Sequence, residues 1–170
     1  MKTTKKMVIS ALGIALVTIS TAFLHLNIGI AFVTLGDVFI NVMAILFGPI
    51  VGLLSGGFGS FFGDLIAHPS TMFYTLIIKG LEGLVVGLIA KNAKKEGLSF
   101  MKKNIFYFIS MLAGSIIMVG GYFIAKAFFY GSVETAVVSI MPNVLQALVG
   151  LVIALIIVNI ISKTNLIKKE

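Results

Sequence analysis

The chain has 170 residues, of which 59% are hydrophobic and only 11% charged, with no cysteine and a formal net charge of +7 that comes from thirteen lysines, no arginine and six acidic residues. Globular domains average roughly 45–50% apolar and about 25% charged residues, so the composition excludes a soluble domain and describes an integral membrane protein. The absence of cysteine excludes disulfides, thiolate catalysis and cysteine metal sites, and lysines grouped in short runs beside apolar stretches are orientation signals rather than a nucleic-acid surface.

The N-terminal "MKTTKK" precedes an apolar run too long for the core of a signal peptide, so a retained first helix is expected over roughly residues 6–26. The stretch "NIGIAFVTLG" reads as a loop. The next stretch, Val38–Ile66, carries no charge before Asp64 and would be about 43 Å long as one helix, well beyond a hydrocarbon core of about 30 Å. It contains two sets of helix breakers, Gly48-Pro49 and Ser55-Gly56-Gly57. A second helix over about 35–54 and a third over about 56–67 are therefore expected, with "HPST" as the turn that follows. A fourth helix is expected over about 72–91, then the polar linker "KNAKKEGLSFMKKN", a fifth helix over about 105–129, the loop "YGSVE" and a sixth over about 139–162. Six spans put eleven of the thirteen lysines on one side, in the groups 2–6, 91–103 and 163–169, whereas five would split them. The positive-inside rule then places both termini in the cytoplasm. The expectation is an all-α bundle of six transmembrane helices forming a single domain over residues 1–170.

On that topology the polar residues share one level. Asp37 starts the second helix, Asp64 ends the third, Lys79 and Glu82 lie two to three turns into the fourth, Lys126 lies near the end of the fifth, and Asn143 and Gln146 open the sixth. All fall in the outer half. A lysine or aspartate at the centre of a spanning helix costs about 2.5–3.5 kcal/mol on insertion scales, so such groups face a bundle interior or a watery cavity. Lys79 and Glu82, at i and i+3, share a helix face, as do Asn143 and Gln146. The plainer alternatives are an ion pair that fastens one helix to a neighbour, interhelical hydrogen bonding by Asn143 and Gln146, snorkelling by Lys126 and a helix cap at Asp37. Tyr74, Phe73, Phe128 and Tyr130 could stack on a flat ring or form an interfacial aromatic belt. Gly48, Gly52 and Gly56, Gly59 and Gly63, and Gly83 and Gly87 have the four-residue spacing of closely packed membrane helices. "GGFGSFFG" has no lysine completion for a phosphate loop, and His25 and His68 lack the company of a metal site.

The stretches "TLGDVFINVMAILFGPIVGLLSGGFGSFFGDLI", "IIKGLEGLVVGLIAK" and "PNVLQALVGLVIAL", in this order along nearly the whole chain, resemble the substrate-binding (S) subunits of energy-coupling factor (ECF) transporters, in the branch of riboflavin, pyridoxine and hydroxymethylpyrimidine carriers. The resemblance implies a subunit in the plasma membrane of a bacterium that captures a water-soluble vitamin or precursor from outside. It implies partners as well: a membrane coupling subunit and two cytoplasmic ATPases. ATP would be hydrolysed in those partners, so this chain would be no enzyme and would need no cofactor. The pocket would lie in the outer half, between the fourth, fifth and sixth helices, under the loops "NIGIAFVT", "AHPSTMFY" and "YGSVETAV". The binding candidates are then Lys79, Glu82, Asn143, Gln146, Asp37 and Tyr74. Ala11 and Ala15, in "ALGIA", match the small-residue motif with which such subunits face the coupling subunit.

Three other readings stand beside it. A self-sufficient small transporter or channel would need a polar path through the inner half, and the sequence has none. An intramembrane enzyme could bring Asp37, Asp64 and Glu82 together, but no nucleophile with a spaced base is present. A structural assembly protein would bind no small molecule.

Overall fold

The computed structural model of the chain describes residues 3–28, 31–95 and 97–164. Lys2, Lys168, Lys169 and the side chain of Tyr130 lie outside the described residues. In chain order the elements are α1 (Thr3–Phe23), β1 (His25–Ile28), β2 (Ala31–Thr34), α2 (Gly36–Phe47), α3 (Pro49–Ala67), α4 (Met72–Ala90) with a 3-10 turn at Lys91–Lys94, α5 (Phe100–Tyr130), the short α6 (Val133–Val138) and α7 (Ile140–Lys163). Five segments are long and apolar enough to cross a membrane: Thr3–Phe23, Pro49–Ala67, Met72–Lys94, Phe100–Phe129 and Val133–Lys163. The bundle of membrane-spanning helices is as expected. The second predicted span is different: α2 has 12 residues, about 18 Å at 1.5 Å per residue, too short to cross alone.

The helix break falls at Gly48-Pro49 and not at Ser55-Gly56-Gly57. Gly48 has φ +100°, a conformation that costs glycine nothing. Pro49 then opens α3, where its missing N–H is no loss. Ser55, Gly56 and Gly57 remain helical and buried. Without water to receive freed backbone groups, glycine in a membrane helix stays helical and serves packing instead. A second departure lies in "NIGIAFVTLG": β1 and β2 pair antiparallel in the register His25↔Thr34 to Ile28↔Ala31, so the expected loop is a hairpin. Leu35 N–H donates to Leu24 O at 3.1 Å and closes its base. The third is α6, in the loop before the last helix, capped by Ser132, whose hydroxyl accepts from Thr135 N at 3.2 Å.

The spaced glycines set how the first four helices approach. A methyl group added at Gly59 would lie 2.6 Å from Val17 Cβ, and one at Gly63 2.6 Å from Thr21 Cβ, so α1 and α3 run parallel in close contact. On the other side of α3, Gly52 abuts the Gly83 carbonyl, Gly56 the Lys79 carbonyl and Pro49 Gly87, which makes α4 antiparallel to α3. Thr18 Oγ1 donates across the first interface to Gly59 O at 3.0 Å. These directions bring Lys5 and Lys6, at the start of α1, to the same end of the bundle as Lys91, Lys94 and Lys95 at the end of α4. Lys102 and Lys103 at the start of α5 join them, as does Lys163 at the end of α7, because Asn159 Nδ2 donates to Asn104 Oδ1 at 2.7 Å and the Lys163 ammonium lies 5.9 Å from the centre of the Phe100 ring. Lys94 Nζ donates to Leu46 O at 2.8 Å and so caps the last turn of α2. The half of the bundle near this lysine end is filled by Val42, Ile45, Val86, Met111, Leu151 and Val158.

Candidate ligand-binding site

In the opposite half the helices enclose a polar cavity of about 320 Å³. Its walls come from every spanning helix and the hairpin: Thr21 of α1, Thr34 of β2, Ser60 and Asp64 of α3, the turn residues His68, Ser70 and Thr71, then Tyr74, Thr75 and Lys79 of α4, Tyr122 and Lys126 of α5, and Ser139, Asn143 and Gln146 at the start of α7. The resemblance implies a pocket of the last three spans under the loops after the first, third and fifth helices; the hairpin and the turn after α3 do line it, and α1 and α3 contribute Thr21, Ser60 and Asp64 as well.

At its base stands a buried ionic cluster. Lys79 is the eighth residue of α4, about 10 Å along the helix axis. Its ammonium donates to Asp37 Oδ1 and, at 3.0 Å, to Glu82 Oε2. Lys79, Asp37 and Glu82 are 3%, 1% and 2% exposed. Charges so far from water persist only when paired and hydrogen-bonded. Gln146 completes the arrangement: its Nε2 donates to Asp37 Oδ2 at 3.0 Å, and its Oε1 accepts from Thr34 N at 2.9 Å. One amide thus joins α7, α2 and the end of the hairpin. Glycines let these partners close in. A methyl group added at Gly150 would lie 2.9 Å from Asp37 Cβ, and one at Gly114 3.3 Å from Glu82 Cγ.

The cap expected at Asp37 is not what its side chain does. No side chain caps the start of α2, where Leu35 occupies the cap position; the Asp37 carboxylate is taken by Lys79 and Gln146. Lys79, Asn143, Gln146 and Tyr74 line the cavity, while Asp37 and Glu82 stand behind Lys79 without lining it. Lys126, expected at the membrane interface, is partly buried and lines the cavity. Tyr74 is buried, stacked on Phe129 at 5.5 Å and edge-on to Tyr122 at 6.0 Å. Phe73 and Phe128 are 66% and 81% exposed and face away from the cavity.

The aromatic that sequence reasoning missed is Tyr122. Its hydroxyl is 3.2 Å from Thr75 Oγ1, and the Lys79 ammonium lies 5.7 Å from its ring centre. A signal was present. Thr71, Thr75, Lys79 and Glu82, at spacings of four, four and three, form one polar stripe along α4, and Tyr122 is four residues before Lys126 on α5. Asp64 accepts from Thr71 Oγ1 at 2.5 Å, which ties α3 to the turn that roofs the cavity. Among the described residues no group of three or more His, Asp or Glu side chains is placed to hold a metal.

Ala11 and Ala15 lie on the exposed face of α1. Leu12, Leu16 and Ile19 flank them, 59%, 43% and 53% exposed. The buried face of the helix is the other one, with Gly13, Val17, Ser20 and Thr21. The two alanines therefore do not pack inside the subunit.

Comparison with known proteins agrees with this architecture. A protein of Pyrococcus woesei, named only as an uncharacterized protein in the gap 3′ region, is 34% identical over 139 residues, 81% of this chain and 88% of the relative. The Thiamine precursor transporter HmpT of Lactococcus lactis subsp. cremoris is 33% identical over 135 residues, 79% of this chain and 72% of the relative. A UPF0397 protein of Exiguobacterium sp. is 32% identical over 108 residues, 62% of this chain and 59% of the relative. The family model described as the S component of ECF-type riboflavin transporters matches residues 1–163. A match over nearly the whole length, on a bundle of membrane-spanning helices around a polar cavity, means that the chain belongs to the ECF-type riboflavin transporter S component family, membrane subunits that bind a vitamin or precursor for transport and are not enzymes.

Proposed function

We propose that the cavity binds a small, single-ring water-soluble vitamin or vitamin precursor, pyridoxine- or hydroxymethylpyrimidine-like, and that Lys79, Asn143, Gln146 and Tyr74 contact it while Asp37 and Glu82 hold Lys79 in place. The observation that carries this reading is the cavity itself. Its volume of about 320 Å³ is at the lower end of the ~300–1,000 Å³ range of small-molecule pockets, and its wall combines two tyrosine rings with hydroxyls, amides and ammonium groups. Such a wall suits a flat, heavily substituted heterocycle. The Lactococcus relative, named as a transporter of a thiamine precursor, supports the pyrimidine, which forms one half of thiamine. Riboflavin is the second reading, favoured by the description of the family.

Uptake would require a membrane coupling subunit and two cytoplasmic ATPases, with this chain in the plasma membrane and both termini in the cytoplasm. Support comes from the lysines gathered at the end away from the cavity, as the positive-inside rule expects of a cytoplasmic face. The exposed alanine pair on α1 offers a face where another helix can approach closely.

Titration calorimetry of the purified protein with hydroxymethylpyrimidine, pyridoxine and riboflavin tests the reading, together with mass spectrometry of whatever ligand is carried through purification. One of the single-ring compounds should bind at least tenfold more tightly than riboflavin. Tightest binding of riboflavin would decide for the second reading. For orientation, a reporter active only outside the cell should be silent at the C-terminus and active in the turn at His68–Thr71; the reverse pattern would overturn it.

A further inference from the structure

Two nitrogen donors on the cavity wall have no acceptor among the described residues. Lys126 lines the cavity from α5, and among the described residues it has neither a hydrogen-bond nor an ion-pair partner. Asn143 lines it from α7, and its Nδ2 is buried with no partner among the described residues. The other cationic side chain of the wall is the opposite case: the ammonium of Lys79 is shared between two carboxylates. Lysine seldom sits in a low-dielectric environment without a counter-group, and a buried amide donor left unmade costs about 1–3 kcal/mol.

We infer that the bound heterocycle carries a substituent oxygen, a hydroxyl, hydroxymethyl or carbonyl, that accepts from Lys126 and Asn143, so that these two residues orient the ligand and select for the oxygen. The inference rests on the vitamin-binding reading above and adds the chemistry of one edge of the ligand. A ligand turned the other way, with an amino group toward this wall, would set donors against donors. Lys79 is in a different position, because its charge is already matched by Asp37 and Glu82, which take two of its three N–H donors.

Lys126 makes no hydrogen bond or ion pair among the described residues, so its substitution breaks no polar contact there. Lys126→Met retains the aliphatic stem and removes the ammonium; Lys126→Arg retains donors. Calorimetry on the full chain, in detergent and in nanodiscs, would compare matched probes: hydroxymethylpyrimidine with the analogue bearing methyl for hydroxymethyl, and pyridoxine with the analogue lacking the ring hydroxyl. For whichever parent compound binds wild type, Lys126→Met should weaken binding about ten- to a hundredfold, the loss expected for a hydrogen bond to a charged group. Lys126→Arg should recover part of it. The analogue without the oxygen should bind wild type and Lys126→Met equally well. Unchanged affinity of the parent compound in Lys126→Met would overturn the inference while leaving the vitamin-binding reading intact. So would an analogue that remains as sensitive to the substitution as its parent. If wild type binds none of the probes and carries no such heterocycle through purification, both readings fall.

Discussion

In the lysine-end half of the bundle, Val42 and Ile45 of α2 meet Val86 of α4, Met111 of α5 and Leu151 and Val158 of α7 through side chains that carry no hydrogen-bonding group. One to two turns further along these helices, Asp37, Lys79, Glu82 and Gln146 are buried just as deeply, and each carries a charge or an amide. The helices are continuous between the two halves, so the contrast lies in the side chains that they bury. Helices in lipid gain little from burying apolar surface against one another, since lipid tails are as apolar as leucine. A buried charge must therefore be matched group by group. The cavity half meets that demand with Lys79 between two carboxylates and Gln146 between Asp37 and Thr34. Among the described residues, the apolar core of the lysine-end half makes no such demand.

The comparison can be broken most severely at Lys79. Lys79→Met would leave Asp37 and Glu82 facing each other in the membrane without a cation. Removing one partner of a buried pair costs about 3–5 kcal/mol, so the yield of folded protein and its midpoint of thermal unfolding should fall sharply. A double variant, Lys79→Met with Asp37→Asn, should recover part of that loss, because it removes one of the orphaned charges. If Lys79→Met purifies and melts like wild type, the cluster is not what holds α2 to α4. Glu82→Gln should be milder, as Lys79 retains Asp37. Because Glu82 stands behind Lys79, any loss of ligand affinity in that variant should come through displacement of Lys79 rather than a lost contact.

A substitution in the other half should behave in the opposite manner. Leu151→Ala removes a buried side chain from the apolar core. Such truncations cost about 2–5 kcal/mol in soluble cores, and the low end applies where lipid supplies no hydrophobic driving force between helices. Thermal stability should drop while ligand affinity measured at low temperature stays within a factor of about two. A large loss of affinity without loss of stability would mean that the two halves are not separable.

At the cavity wall the signs reverse. Asn143→Ala removes no hydrogen bond made by its Nδ2 within the described protein, so the unfolding midpoint should hardly move. A single hydrogen bond to the ligand is worth about 0.5–1.5 kcal/mol net, or roughly two- to tenfold in affinity, and calorimetry should register a loss of that order. An Asn143→Ala variant that binds as wild type does but is hard to fold would assign the residue to interhelical packing.

Much of this division is legible in the sequence, because charge in a membrane segment is expensive enough to be informative wherever it occurs. Lys79, Asn143 and Gln146 announce themselves by polarity alone, and helical periodicity puts Lys79 and Glu82 on one face. What periodicity cannot give is the distinction between lining a cavity and supporting the residue that lines it. Asp37 and Glu82 look as polar as Lys79, and only the tertiary arrangement puts them behind it. Tyr122, Thr71 and Thr75 are missed for the converse reason: hydroxyls are cheap in a membrane helix, where they can bond to their own backbone, so one alone carries no signal until the stripe along α4 is seen as a whole. The hairpin is hidden because β1 and β2 are four residues each and their apolar residues resemble the ends of the flanking helices. The break between α2 and α3 is misplaced by rules drawn from soluble proteins, which treat three small residues in a row as a stop, whereas here Gly52, Gly56 and Gly83 are the contact surface between α3 and α4.

The smallest effect on the isolated subunit is expected at a face that belongs to neither half. Ala11 and Ala15 are one turn apart on the exposed side of α1, away from the cavity, to which this helix contributes Thr21. Small side chains at that spacing let a second helix approach closely. Replacing both alanines with tryptophan adds bulk only outside the bundle, so folding and ligand affinity of the purified protein should be nearly unchanged. Co-purification with a membrane coupling subunit and ATP-dependent uptake by the reconstituted complex should be lost. Normal assembly and uptake by the double variant would show that this face is not the docking surface. Uptake by the wild-type chain alone in proteoliposomes without any ATPase would go further: it would require a polar route past Val86, Met111 and Leu151, and the contrast between a capturing half and a sealed half would no longer stand.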